Sequence, residues 1–102
     1  MSQISSQTHA ISINPATGEQ IGHYAFESAA ALDAALTRAA FAFGKWKRKP
    51  LQDRSRLLTA LAGALRETSE AMATMITREM GKPIAQARGE IEKCAKLCEW
   101  YA

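Results

Sequence analysis

The sequence predicts a short β-ribbon followed by three or four α-helices, a piece of an all-helical or α/β domain. Three observations carry that reading. Ile11-Ser12-Ile13 alternates as a strand does, and Gln20 to Phe26 reads as a second, weaker strand interrupted by Gly22. From Leu32 onward, apolar residues recur in steps of three and four, the period of an amphipathic helix. Between two such runs stands Glu79-Met80-Gly81-Lys82-Pro83, where one helix stops and another starts. Gly81 reaches a left-handed conformation without a Cβ clash, and Pro83 fits a first helical turn, where its missing N–H is not needed.

Each element follows in order. Met1 to Ala10 is polar and is expected to be a flexible N-terminus. Asn14-Pro15-Ala16-Thr17-Gly18-Glu19 has the residues of a turn joining the two strands. Such a ribbon alone is marginal in water, so its stability must come from something packed against it. Ser28 is the expected N-cap of the first helix, whose stripe is Leu32, Leu36, Ala39, Ala40 and Phe43, with Gly44 ending it. Lys45-Trp46-Lys47-Arg48-Lys49 reads as a basic connector. Pro50 then opens a second helix with Leu57, Leu58, Leu61 and Leu65 on its buried face. Thr68 or Ser69 caps a third helix running to Met80, with one bent helix as the alternative. Ile84 to Ala102 forms the fourth, and its stripe of Ile84, Ala87, Ile91, Cys94, Cys98 and Tyr101 is still running at Ala102. Glu92 and Lys96 are spaced for an i,i+4 pair. The pattern reads as a helix cut through.

Composition narrows the function. The chain has 102 residues, room for one domain, and 47% of them are apolar. Alanine supplies much of that fraction, so the core per residue is thin. A net charge of +3 is too weak to name a partner. No apolar run approaches the length of a membrane span, and Met1 to Ala10 has neither the basic nor the apolar region of a secretory leader. A cytoplasmic chain is the expectation.

Candidate chemistry is sparse. Cys94 and Cys98 lie on the apolar stripe, where a free cysteine acts as a small hydrophobe. Their i,i+4 spacing holds the Cβ atoms about 5–6 Å apart, too far for a disulfide. No further Cys or His completes a metal site. Lys45 to Lys49 with Trp46 has the make-up of a nucleic-acid patch, but a solvated loop whose Trp folds back onto the helices explains it better. His9 and His23 read as surface residues, not a catalytic pair. Met72, Met75 and Met80 have core spacing, and Glu90 and Glu92 fall on different helix faces. Phosphate-binding glycine loops and nucleophile elbows are absent from the sequence.

A resemblance goes further than these residues do alone. Asn14-Pro15-Ala16-Thr17-Gly18-Glu19 with Ile21-Gly22 resembles the opening strand-turn-strand of the aldehyde dehydrogenase superfamily. So do Ala39-Ala40-Phe41 leading to Trp46, and Arg54 through Leu57-Leu58 to Ala62 and Leu65. Glu79-Met80-Gly81-Lys82-Pro83 and the spacing from Glu90-Ile91 to Trp100-Tyr101-Ala102 match as well. The match covers residues 11 to 102 and looks closest to the succinate-semialdehyde dehydrogenase branch. It implies an α/β parent with a Rossmann-type cofactor domain, of which residues 11–102 are the N-terminal part, truncated at 102. The implied activity is oxidation of an aldehyde, succinate semialdehyde in that branch, to the carboxylic acid by NAD or NADP. In such enzymes a cysteine thiolate attacks the carbonyl, hydride passes to the nicotinamide, and water hydrolyses the thioester. A homo-oligomer is the expected assembly, and the hydropathy and the weak basic run predict neither a membrane nor a nucleic-acid partner. The resemblance carries no catalytic, cofactor-binding or metal role to any residue here, because the family's site residues lie downstream. The alternative is a stand-alone helical interaction module built on the same scaffold, without catalysis.

Uncovered, the stripe from Ile84 to Tyr101 costs several side chains' worth of burial, each about 1.5–3 kcal/mol. The isolated 102-residue chain is therefore expected to be marginally folded or self-associating, and neither to bind NAD nor to turn over aldehyde. A monomeric, sharply cooperative unfolding transition, or saturable NAD binding by the segment alone, would overturn this.

Overall fold

The computed structural model describes residues 8–102. The chain runs through two strands, β1 (His9–Ile13) and β2 (Gln20–Ala25), and then four helices. These are α1 (Ala29–Trp46), α2 (Leu51–Glu67), α3 (Ser69–Met80) and α4 (Ile84–Tyr101).

Strands β1 and β2 form an antiparallel ribbon, with His9 opposite Ala25 and Ser12 opposite Gly22. Asn14 builds the turn between them. Its carbonyl accepts from Gly18 N–H at 2.8 Å, its amide donates to Glu19, and its side chain accepts from Ala16 N–H at 2.9 Å. Gly18 supplies the positive φ of 77°. Gly22 does not break β2. The register slips instead between Ser12 and Ile13, which leaves Ile21 as the extra residue of a bulge. β1 also begins two residues before Ile11, because the main chain of His9 and Ala10 pairs with β2 even though their side chains show no alternation. The expected flexible stretch thus gives way to paired backbone by His9, and residues 1–7 lie outside the described region.

Ser28 caps α1, its hydroxyl accepting from Ala31 N–H at 3.0 Å. Gly44 does not end that helix, which continues to Trp46 with Lys47 as its C-cap. A glycine without a left-handed φ costs a helix only modestly, and nothing at Gly44 forces a stop. Pro50 and Pro83 act as N-caps, one position before the first helical residue in each case. Thr68 alone joins α2 to α3, closing one and opening the other, with its hydroxyl donating back to Ala64 O at 2.8 Å. Two helices, not one bent one, occupy 51–80.

The core lies where α4 packs on α2 and α3, and it is made almost wholly of alanine. Ala62 of α2, Ala73 of α3, and Ala87, Ile91 and Ala95 of α4 are buried. The seam on α4 follows 87, 91 and 95, so the expected stripe is rotated: Cys94 is exposed and Tyr101 is 70% exposed. Leu57 and Leu61 are exposed, Leu58 and Leu65 half-buried, and Met72, Met75 and Met80 all open to solvent. The physical reason is proximity. Backbones brought close by alanine leave no interhelical space for the larger side chains, which splay around the seam.

Helix α1 buries none of its residues, and Leu36 in its stripe is 61% exposed. The radius of gyration, 18.5 Å, exceeds the roughly 13 Å of a compact chain this long. Among the described residues, no helix is long and apolar enough to cross a membrane.

The ribbon is fastened at the α3–α4 junction. Ser12 Oγ donates to Glu79 Oε1 at 3.1 Å, and Pro15 packs over Gly81, which adopts φ 73° and donates its N–H to Thr77 O. A Cβ at Gly81 meets Pro15 Cγ at 3.1 Å, whereas one at Gly18 meets nothing. Both Gly18→Ala and Gly81→Ala are expected to destabilise the complete gene product by about 1–2 kcal/mol through the left-handed conformation. Gly81→Ala loses more because Pro15 must also move. Denaturant midpoints giving equal losses would show that the Pro15 contact contributes nothing.

Candidate functional site

The chemistry-bearing side chains do not converge on one centre. Cys94 and Cys98 are free thiols on successive turns of α4, Cys94 exposed and Cys98 half-buried. Neither thiol has a hydrogen-bonding partner among the described residues, and the core role expected of them holds only in part for Cys98. Among these residues, no group of three metal-ligating side chains comes together. Cys94 borders a shallow trough of about 450 Å³ formed by α4 itself, with Lys93, Lys96, Leu97 and Trp100.

His9 and His23 are closer than their sequence separation suggests. They sit diagonally across the ribbon with ring centroids 5.6 Å apart, and Thr8 Oγ1 lies 2.7 Å from His9 Nδ1. The register of β1 on β2 creates this pairing, and only the register could have revealed it.

The basic connector dissolves as a patch. Lys45 lies over the Phe41 ring at 4.6 Å and Lys47 over Phe43 at 5.8 Å, so two of its cations are turned onto α1. Trp46 ends α1 and is half-buried. With Leu51, Leu58, Leu97, Cys98 and Tyr101 it lines a groove of about 530 Å³ that also contains Arg54 and Ser55. Sequence reading assigned nothing to this groove, because its walls come from three helices.

Ion pairs brace α4 from both sides. Arg66 of α2 donates to Glu92 through Nε at 3.2 Å and Nη2 at 3.1 Å, and Nη2 also reaches Glu99. Glu92 therefore pairs across helices instead of with Lys96, which only adds a weaker favourable field. Arg88 of α4 holds Glu70 of α3 with two bonds of 2.9 and 2.7 Å. Glu90 turns away from Glu92 to meet Lys82 at 2.7 Å. Hydrogen bonds from Arg66 and from Arg88 hold the Glu92 and Glu70 carboxyls below the ordinary value, and raise both guanidinium groups. The network fixes helices; it presents no unpaired acid or base for proton transfer.

The aldehyde dehydrogenase family profile matches residues 3–102. The chain belongs to the aldehyde dehydrogenase family. It is 52% identical to the succinate semialdehyde dehydrogenase (NAD(P)+) Sad of Escherichia coli strain K12 over 99 residues, 97% of this chain and 21% of that protein. Two solved structures share the fold. An NADP-dependent glyceraldehyde-3-phosphate dehydrogenase from Bacillus halodurans C-125 superposes with a TM-score of 0.85 at 29% identity, over 90% of this chain and 19% of that one. An NAD-dependent aldehyde dehydrogenase from Sinorhizobium meliloti gives 0.80 at 36% identity, over 94% and 20%. The chain spans about a fifth of the length of these family members. The fold of this chain is thus shared with those two enzymes.

Lowered carboxyl pKa values stabilise the fold above the unfolded glutamate value of about 4.3, and that contribution is lost as pH falls through the folded values. Glu70→Gln and Glu92→Gln together are expected to lower the urea midpoint at neutral pH by a small amount, since both pairs are solvent-exposed. The difference from the parent should close as pH drops below about 4. A gap independent of pH would mean that the carboxylate charges are not what holds α4.

Proposed function

We propose that residues 11–102 are the N-terminal part of the cofactor-binding domain of an NAD(P)-dependent aldehyde dehydrogenase that oxidises succinate semialdehyde to succinate. The observation that carries this is the 52% identity to the Escherichia coli enzyme across 97% of the chain. In the complete protein the segment acts as scaffold: α2, α3 and α4 form a braced unit on which the remaining polypeptide is built.

The residues present do not fit a dinucleotide by themselves. Such a cofactor sits where a parallel strand runs into a helix N-terminus with free N–H groups. The only sheet among the described residues is an antiparallel pair. The Ala31 N–H at the start of α1 is taken by Ser28, and α2 and α4 start after prolines. No catalytic step is therefore assigned to this segment. Cys94 in particular is no nucleophile: it is exposed on a helix flank without a partner to activate it.

The test is the complete gene product, first by intact mass and then by succinate semialdehyde-dependent reduction of NAD and of NADP. The expected outcome is a mass several times 11.1 kDa, turnover with one or both cofactors, and an unchanged kcat in Cys94→Ser. A product near 11.1 kDa without turnover would overturn the reading and return the chain to an interaction module.

A further inference from the structure

We infer that His9 and His23 form a two-imidazole site for a divalent transition-metal ion, which clips β1 to β2 when bound. The inference does not depend on the enzyme reading. Both histidines are exposed, and they share one face of the ribbon. His23 is opposite Ile11 and His9 opposite Ala25, and residues two apart along a strand point to the same side. Their ring centres are 5.6 Å apart, with the planes inclined at 52°. Two imidazoles on one ion, each bonded at about 2.0–2.1 Å, stand with ring centres about 5 Å apart at a tetrahedral angle and nearer about 6 Å as the angle opens. The observed separation falls inside that range. Closing on an ion therefore takes rotation of two exposed side chains and no movement of the strands.

A second observation points to ligation. Thr8 Oγ1 lies 2.7 Å from His9 Nδ1, and the Thr8 carbonyl accepts from Phe26 N–H at 3.0 Å, which ties that residue to the chain leaving β2. With Nδ1 occupied by a hydroxyl, Nε2 is the nitrogen left for a metal. Metal-bound imidazoles generally have their other ring nitrogen held in this way, which fixes the tautomer and the orientation of the ring.

The surroundings select the class of ion. Neither strand carries an acidic or basic residue, so no strand cation repels the ion and no strand carboxylate supplies oxygen. Imidazole suits zinc, nickel and copper, whereas magnesium and calcium are held by oxygen ligands. Two protein ligands leave the remaining positions to water, so the ion is exchangeable, unlike one in a closed structural zinc site. A two-stranded ribbon is marginal by itself, and an ion that binds only the paired strands stabilises their pairing.

The experiment uses the complete, untagged gene product with ZnCl₂ as the probe. Modification of each histidine by diethyl pyrocarbonate is followed by peptide mapping, which reads these two side chains whatever else on the protein binds zinc. His9 and His23 should lose reactivity together, with one saturable midpoint, to about a tenth or less of the metal-free rate. MgCl₂ should protect neither. In His9→Ala the protection of His23 should disappear, and in His23→Ala that of His9. Thr8→Val should move the midpoint to roughly tenfold higher zinc, and Thr8→Ser should restore it. Protection of one histidine without the other means that single imidazoles bind separately, and it overturns the site. So does a pair that reacts equally fast with and without zinc. A pair unreactive before zinc is added overturns it too, because the polypeptide then already covers both rings. An unmoved midpoint in Thr8→Val overturns the part given to the hydroxyl.

Discussion

The approach of α4 to α2 and α3 through alanine is the constraint on which the structure depends. Ala87 and Ala95 are fully buried, as is Ala73 facing them, and none has a side chain to hold the backbones apart. Because the helices are close, Arg66 reaches both Glu92 and Glu99, and Arg88 reaches Glu70. A wider seam breaks that geometry. The same closeness limits the apolar area buried, so the seam fixes where the helices lie more than it stabilises them.

That division explains the uncovered surface. Exposed leucines, methionines and aromatics lie around the alanine seam on α2, α3 and α4, and α1 buries none of its residues. In a self-contained domain those residues form the core. Here they form a sheath around a narrow spine, which suits a segment that other parts of a longer chain cover.

Local chemistry made much of the fold legible. The Asn14 turn, the Ser28 cap, the left-handed Gly81 and the prolines before α2 and α4 all act within four residues, and sequence shows them directly. What was hidden is non-local. The period of α4 left neighbouring Cys94 and Ala95 both eligible for the seam, and only the positions of α2 and α3 select Ala95. Glu92 had a plausible partner in Lys96, but Arg66, distant in sequence, offers a two-bonded fork. Gly44 looked like a stop because glycine is permissive, yet permission is not compulsion.

The bond from Ser12 to Glu79 spans 67 positions, and this orders assembly in time. Turns and helices close over short loops and form early, whereas joining distant segments costs chain entropy that grows with the loop between them. During synthesis the ribbon emerges first but has no dock until Glu79 and Gly81 have left the ribosome. The first strands made are therefore among the last parts fastened. Their edges stay unpaired through that interval, which makes the ribbon the part of the nascent chain most open to mispairing with a neighbour.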